Sequence, residues 1–363
     1  MQKKIVLENG LEFHGTGFGA DVEKVSELVF DTSAVGYQEV LTDLSYAGQM
    51  VVMAYPIIGS YGINDDDSET RQPAMGGLIV REYNDNPSNF RFTKTLAEEM
   101  EECGIPGIAG IDTRTLVHII RTEGEQKVCI TNANTPKETA LELMKEWAPQ
   151  KNIVAQVSCK KRWYARTPNH QYTVAVLDCG LKLSIVEQLK YLGCNVTVLP
   201  YNTTAEEILE LDADGLFVTG GPGSPADATE VIETVRRLIG KMPILGTNLG
   251  HQVIALAFGA KTYKMKCGHR GTNHPIKNLL TNKVEVATQN HSHTIDKESL
   301  KNTGLTVTHI NLLDDTVEGL ENKEGTVLSV QYYPEITKTP TESHPFARFV
   351  EAMDIAKGET NNA

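Results

Sequence analysis

Between Tyr172 and Gly259 the sequence alternates strand-like and helix-like runs with a regularity that few folds permit. YTVAVLDCG, NVTVLPY, DGLFVTGGPGS and MPILG are short apolar runs. KLSIVEQLKYLG, TTAEEILELD, ATEVIETVRRLIG and HQVIALAFG carry apolar residues at helical spacing. A helix after each strand returns the chain so that successive strands run the same way. The predicted core is therefore a mainly parallel, doubly wound sheet with helices on both faces. Ligands in such sheets lie beyond the carboxyl ends of the strands. Those ends carry Cys179 to Lys182, Gly220 to Ser224 and Gly246 to Gln252, three loops that converge on one pocket.

The first half has a different texture. KKIVLENGLEFHG reads as two alternating runs joined at Asn9-Gly10, a hairpin signal. QMVVMAYPIIG and GLIVRE are further strand candidates, and TKTLAEEMEECG and TRTLVHIIRTEG read as short helices ended by glycine. At 363 residues the chain exceeds one core of ordinary size, so two domains are expected. The reading places a β-rich N-terminal domain at 1–158, a polar, basic linker at 159–171 and the α/β domain at 172–358.

A formal net charge of -13 argues against nucleic acid or an anionic membrane as partner, since both require a basic surface. No apolar run approaches a membrane span, and the first residues lack the pattern of a secretory signal, so a cytoplasmic location is expected. The six cysteines are scattered without a CxxC pair, which reads as reduced thiols rather than disulfides or a zinc site. The acidic run NDDDSE at 64–69 reads as a solvated loop, lacking regular metal-ligand spacing. No metal is expected.

PILGTNLGHQVIALAFGA, Pro243 to Ala260, is the sharpest local signal. It is a strand, a tight turn and a helix, an elbow that enzymes use to present a nucleophile at a helix N-terminus. At its tip stands Asn248. Asparagine tolerates left-handed backbone angles better than most residues, so it preserves the turn while offering no nucleophile.

Several stretches together identify the family. GGPGSP, LGHQVIALAFGAKTYKMKCGHRG, NHPIKN and TQNH make the second half similar to a class I glutamine amidotransferase domain. With FDTSAVGYQEVLTDLSYAGQ, YPIIGSYGIN and GIDTRTLVHIIRTEG in the first half, the whole chain resembles the small subunit of carbamoyl-phosphate synthetases. The resemblance implies a glutaminase in which a cysteine thiolate attacks the glutamine amide, a histidine shuttles the proton and a glutamate orients the histidine. Ammonia would pass to a large subunit that joins it to bicarbonate. ATP and metal belong to that partner, and no cofactor is expected in this chain.

Two of the three triad positions depart from the family. The G-x-C-x-G-H-Q elbow reads Gly246 to Gln252 with Asn248 at the nucleophile position, and His-Pro-Glu reads Tyr333-Pro334-Glu335. Only Glu335 remains. Glutamine binding carries over by resemblance to Ser45, Lys182, Gly221, Gly223, Leu249, Gln252 and the Asn290 segment. Ser292 and His293 replace the family's glycine and aromatic residue there.

The resulting expectation is a small subunit unable to hydrolyse glutamine, supporting or regulating an ammonia-using large subunit in the pyrimidine or arginine pathway. The rival is a stand-alone pseudoenzyme that senses glutamine or a related amide. A third reading, a rebuilt enzyme using Cys179 with His293, ranks last because free cysteines at strand ends are usually just buried. Arg114 and Arg121 in GIDTRTLVHIIRTEG are expected to serve subunit binding or domain packing.

Overall fold

The computed structural model describes residues 1–361. The chain divides into two compact units. Met1–Lys151 together with Lys266–Gly271 forms the first, and Asn152–Met265 with the chain from Thr272 onward forms the second.

The first unit is built on a closed barrel. Around it the strands run Gln2–Leu7, Glu12–Gly19, Pro106–Ala109, Gly77–Ile79, Gln49–Met53, Lys24–Asp31 and Gln126–Asn132, the last pairing with the first. Closure leaves this sheet no open edge. The expected hairpin is present, with the Leu7 N–H donating to the Leu11 carbonyl at 2.9 Å and Gly10 at φ 84°, a left-handed angle suited to glycine. Helix Thr113–Glu123 starts under Asp112, whose carboxylate accepts from the Thr115 N–H, and ends at Gly124. Leu116, Ile119 and Ile120 from this helix pack with Ile5, Leu7, Leu28 and Ile130. Arg114 is exposed, whereas Arg121 lies over the Phe30 ring at 5.3 Å, within this unit. The acidic run is less solvated than its composition suggests. Asp65 and Asp66 are exposed, but Asn64 is buried and its N–H donates to Gln38 Oε1 at 3.0 Å.

The segment Lys266–Gly271 returns to this first unit from far along the chain. Arg270 Nη1 meets Glu125 Oε1 at 2.6 Å, with side chains 2% and 1% exposed. The Gly268 N–H donates to the same carboxylate oxygen at 3.1 Å. Nothing in the sequence pattern pointed to this return.

The second unit carries the predicted doubly wound sheet. Cys194–Pro200, Tyr172–Asp178, Gly215–Val218, Ile244–Thr247 and Val327–Val330 lie side by side and parallel. Ala175, Leu177, Leu216 and Val218 face helices Thr229–Leu238 and Leu249–Ala257. On the opposite face, Val174, Val176, Phe217 and Leu245 pack on helix Leu183–Tyr191 and on Phe346, Phe349 and Met353 of the C-terminal helix. Beyond Val327–Val330 the sheet continues with Val317–Asn322, Leu305–Asn311, Thr262–Asn278 and Val284–Ile295, a mixed extension. The stretch 159–171, expected as a linker, contributes edge strand Trp163–Ala165, antiparallel to Cys194–Pro200. The break between units falls at Lys151, because Val154 and Trp163 already pack into the second unit's cores.

Candidate functional site

The elbow is set by close packing. Strand Ile244–Thr247 hands over to helix Leu249–Ala257 through Asn248 at φ 52°, ψ −113°, and the Asn248 N–H donates to the Val330 carbonyl at 2.9 Å. A Cβ on Gly250 would stand 2.2 Å from the Val218 carbonyl oxygen, and one on Gly246 2.5 Å from Ile254 Cδ1. Both flanking glycines are therefore demanded by the approach of helix to strand, and the turn between them is forced into the left-handed region.

The Asn248 side chain is 2% exposed. Its Nδ2 donates twice, to the Asn290 carbonyl at 2.7 Å and to the Tyr333 hydroxyl oxygen at 2.8 Å. Tyr333 is fixed from behind by its own N–H, which donates to the Thr288 carbonyl at 2.9 Å. Lys182, at the N-cap of helix Leu183–Tyr191, holds its ammonium 3.8 Å from the centre of the Tyr333 ring. This is a cation–π contact at close range. The structure thus gathers Asn248, Asn290, Tyr333 and Lys182 into one cluster.

The glycine loop closes over it. A Cβ on Gly220 would lie 3.1 Å from the Tyr333 hydroxyl and 3.2 Å from Asn248 Cβ, and one on Gly221 would lie 2.1 Å from the Cys179 carbonyl oxygen. Gly223 takes φ 86°. Leu249 is buried at the start of the elbow helix. Gln252 Nε2 donates to the His293 carbonyl at 2.7 Å and to Gln331 Oε1 at 2.9 Å, so this amide pins the segment carrying Ser292 and His293. Ser45 sits in the first unit, buried, with its N–H donating to Asp43 Oδ1 at 2.9 Å.

Glu335 does not join the cluster. It is exposed, and its carboxylate makes no hydrogen bond or ion pair among the described residues. Only its backbone carbonyl is engaged, accepting from His344 Nε2 at 3.1 Å. Cys179 is fully buried, and burial, with the Asp178 carboxylate beside it, pushes its thiol far above the ordinary range. That matches the buried-residue reading of Cys179 and disfavours it as a stand-in nucleophile.

One support escaped the sequence reading. Gln331 completes the Gln252 contact, and its place two residues before Tyr333 was the available hint. His251 is wholly buried with Nδ1 2.9 Å from Ser329 Oγ, and burial holds its pKa down to about 3.

Comparison with known proteins covers both units. Residues 175–353 match the family Glutamine amidotransferase class-I, and residues 5–130 match the carbamoyl-phosphate synthase small chain, CPSase domain. The chain is 45% identical to the carbamoyl phosphate synthase small chain of Fusobacterium nucleatum over 97% of its own length and 98% of that protein. The chain belongs to the carbamoyl phosphate synthase small chain family. A small chain from Listeria innocua is 46% identical, covering 98% of both chains. The pyrimidine-specific small chain of Bacillus subtilis is 44% identical over 99% of this chain and 98% of its own. Membership therefore extends across both units. Among the described residues no helix is long and apolar enough to cross a membrane.

Proposed function

We propose that this chain is a carbamoyl phosphate synthase small subunit whose glutaminase site is silent, so that its large subunit draws free ammonia. The observation that carries the reading is the pairing of Asn248 with Tyr333 at the elbow, an amide donating to a phenol where the chemistry requires a thiolate and an imidazole. An amide nitrogen has its lone pair delocalised into the carbonyl and is no nucleophile. An ordinary phenol, titrating near ~10, exchanges no proton with a neutral partner near pH 7. The third triad position supports the reading, because exposed Glu335 is not hydrogen-bonded to anything at position 333.

The remaining residues then have structural duties. Lys182 caps the Tyr333 ring, Gln252 holds the strand that bears Ser292 and His293, and Gly220 and Gly221 allow the loop to approach. Docking on a large subunit is supported by the family's two-part match over nearly the whole chain. ATP and metal are assigned to that partner, and the pyrimidine-specific name of the Bacillus subtilis relative favours pyrimidine supply over arginine.

The test mixes the purified chain with the large subunit of its own organism. Co-elution, with carbamoyl phosphate formed from ammonium and none from glutamine, is the expected result. Synthesis from glutamine would overturn the silent site. Failure to co-elute at micromolar concentration would favour the stand-alone sensor.

A further inference from the structure

A family enzyme that hydrolyses glutamine forms a bond between the elbow sulfur and the amide carbon of its substrate. Before that bond forms, the acyl carbon of a bound glutamine must approach to about 3–3.5 Å from the first side-chain atom after Cβ. In this chain that volume is filled. Asn248 Cγ stands at the first position beyond Cβ, and Oδ1 and Nδ2 stand one bond further out, inside the distance that an approaching amide carbon needs.

The occupation is fixed rather than casual. Nδ2 is held from two sides, by the Asn290 carbonyl at 2.7 Å and the Tyr333 hydroxyl at 2.8 Å. The backbone beneath is pinned by the Val330 carbonyl at 2.9 Å, and helix Leu249–Ala257 starts at the next residue. Above, the glycine loop stands so close that even a methyl on Gly220 would lie 3.2 Å from Asn248 Cβ. The Tyr333 ring, in turn, lies under the Lys182 ammonium at 3.8 Å. Swinging the carboxamide aside would break both of its hydrogen bonds in a site that is 2% exposed, where a lost partner is not replaced by water.

We propose that the Asn248 carboxamide is a resident occupant of the amide seat, so that the chain excludes glutamine rather than binding it without hydrolysis. Asn248 is then the residue that sets ligand specificity, and the ligand it rejects is a free primary carboxamide. The proposal rests on reading this pocket as the family's amide seat, and it separates the chain from a glutamine sensor, which must bind what it cannot cleave.

The experiment measures binding, not turnover. L-glutamine is titrated calorimetrically into the full-length wild-type chain and into Asn248→Gly and Asn248→Asp variants, with thermal unfolding followed in parallel. Glycine removes the carboxamide and accepts φ 52°, ψ −113° without strain, whereas aspartate keeps its volume. No saturable binding is expected for wild type or Asn248→Asp at millimolar glutamine. Saturable binding at least about tenfold tighter is expected for Asn248→Gly, with a rise in its melting temperature on adding glutamine.

Wild-type binding as tight as that of Asn248→Gly would overturn the proposal. So would equal binding by the aspartate and glycine variants, or a folded glycine variant that does not bind. If Asn248→Gly does not fold, the wild-type titration alone decides, since saturable binding there contradicts a filled seat and its absence upholds one. Hydrolysis of glutamine by the wild-type chain is a separate outcome, and it would end the silent-site reading itself.

Discussion

Asn248 and Tyr333 are one unit, and substituting them should reveal it. Asn248→Cys alone restores a thiol at a strained elbow but gives it a phenol as neighbour, so ammonia release from glutamine should stay near background. Adding Tyr333→His supplies an imidazole within reach of the same position, since the present hydroxyl lies 2.8 Å from Asn248 Nδ2. The double variant should exceed either single one, yet remain on the order of 10³-fold or more below an intact triad, because members of a triad act together. Exposed Glu335 would have to swing inward before it could orient the new histidine. A single cysteine variant as fast as the double would show that position 333 has no part in proton transfer. Asn248, Tyr333 and Lys182, positions taken from the family resemblance, come together in the structure with Gln252 bracing the neighbouring segment, whereas the outward path of Glu335 depends on a loop conformation that no spacing encodes.

Two opposed forces meet in the elbow helix Leu249–Ala257 at Gly250. Helix propensity alone favours alanine there by about 1 kcal/mol. The packing says otherwise, with a Cβ only 2.2 Å from the Val218 carbonyl oxygen, a backbone atom that cannot rotate away. Gly250→Ala should therefore destabilise by about 1–3 kcal/mol or more, read as a lower urea midpoint. A stabilised variant would mean that helix and strand can separate freely. The same helix carries His251, and strand Leu305–Asn311 carries His309. Burial holds their pKa values down to about 3 and about 4, with the Arg348 charge adding to the effect at His309. An unfolded histidine titrates near ~6.5, so below that pH the unfolded state binds protons that the folded state refuses. The stability these residues contribute is complete above about pH 6.5 and is lost progressively as pH falls towards 4 and then 3. Urea midpoints should drop between about pH 7 and pH 5, and His251→Gln should flatten that slope by up to about 1.4 kcal/mol per pH unit. An unchanged slope would place the linkage elsewhere. The alternating strands and helices of 172–259 could be read in advance because each is a local pattern. The mixed half of the sheet could not, since Leu305–Asn311 and Val317–Asn322 are defined by their partners rather than by their own composition.

Taken whole, the molecule shows where sequence reading reaches its limit and what that limit predicts. The barrel of the first unit pairs strands far apart in the chain, and the unit also takes in Lys266–Gly271, more than a hundred residues downstream of the last barrel strand. That segment brings Arg270 to Glu125, a pair with side chains 2% and 1% exposed. Both ions have left water, so their mutual attraction is largely consumed by desolvation, and the intact pair adds little stability over an apolar one. Removing one partner is another matter, because the survivor keeps its burial and loses its counter-charge. Arg270→Ala should cost about 3–5 kcal/mol in the full chain. Glu125→Gln, which removes the unpaired charge while keeping the shape, should recover much of that loss in the Arg270→Ala chain. A fragment of residues 1–151 contains every barrel strand but loses both the guanidinium and the segment that covers Glu125, so water reaches the carboxylate. It should be less stable than the full chain by circular dichroism, and Glu125→Gln should change it little. A fragment 1–151 that melts as cooperatively as the full chain would show that the returning segment adds nothing to the stability of the barrel.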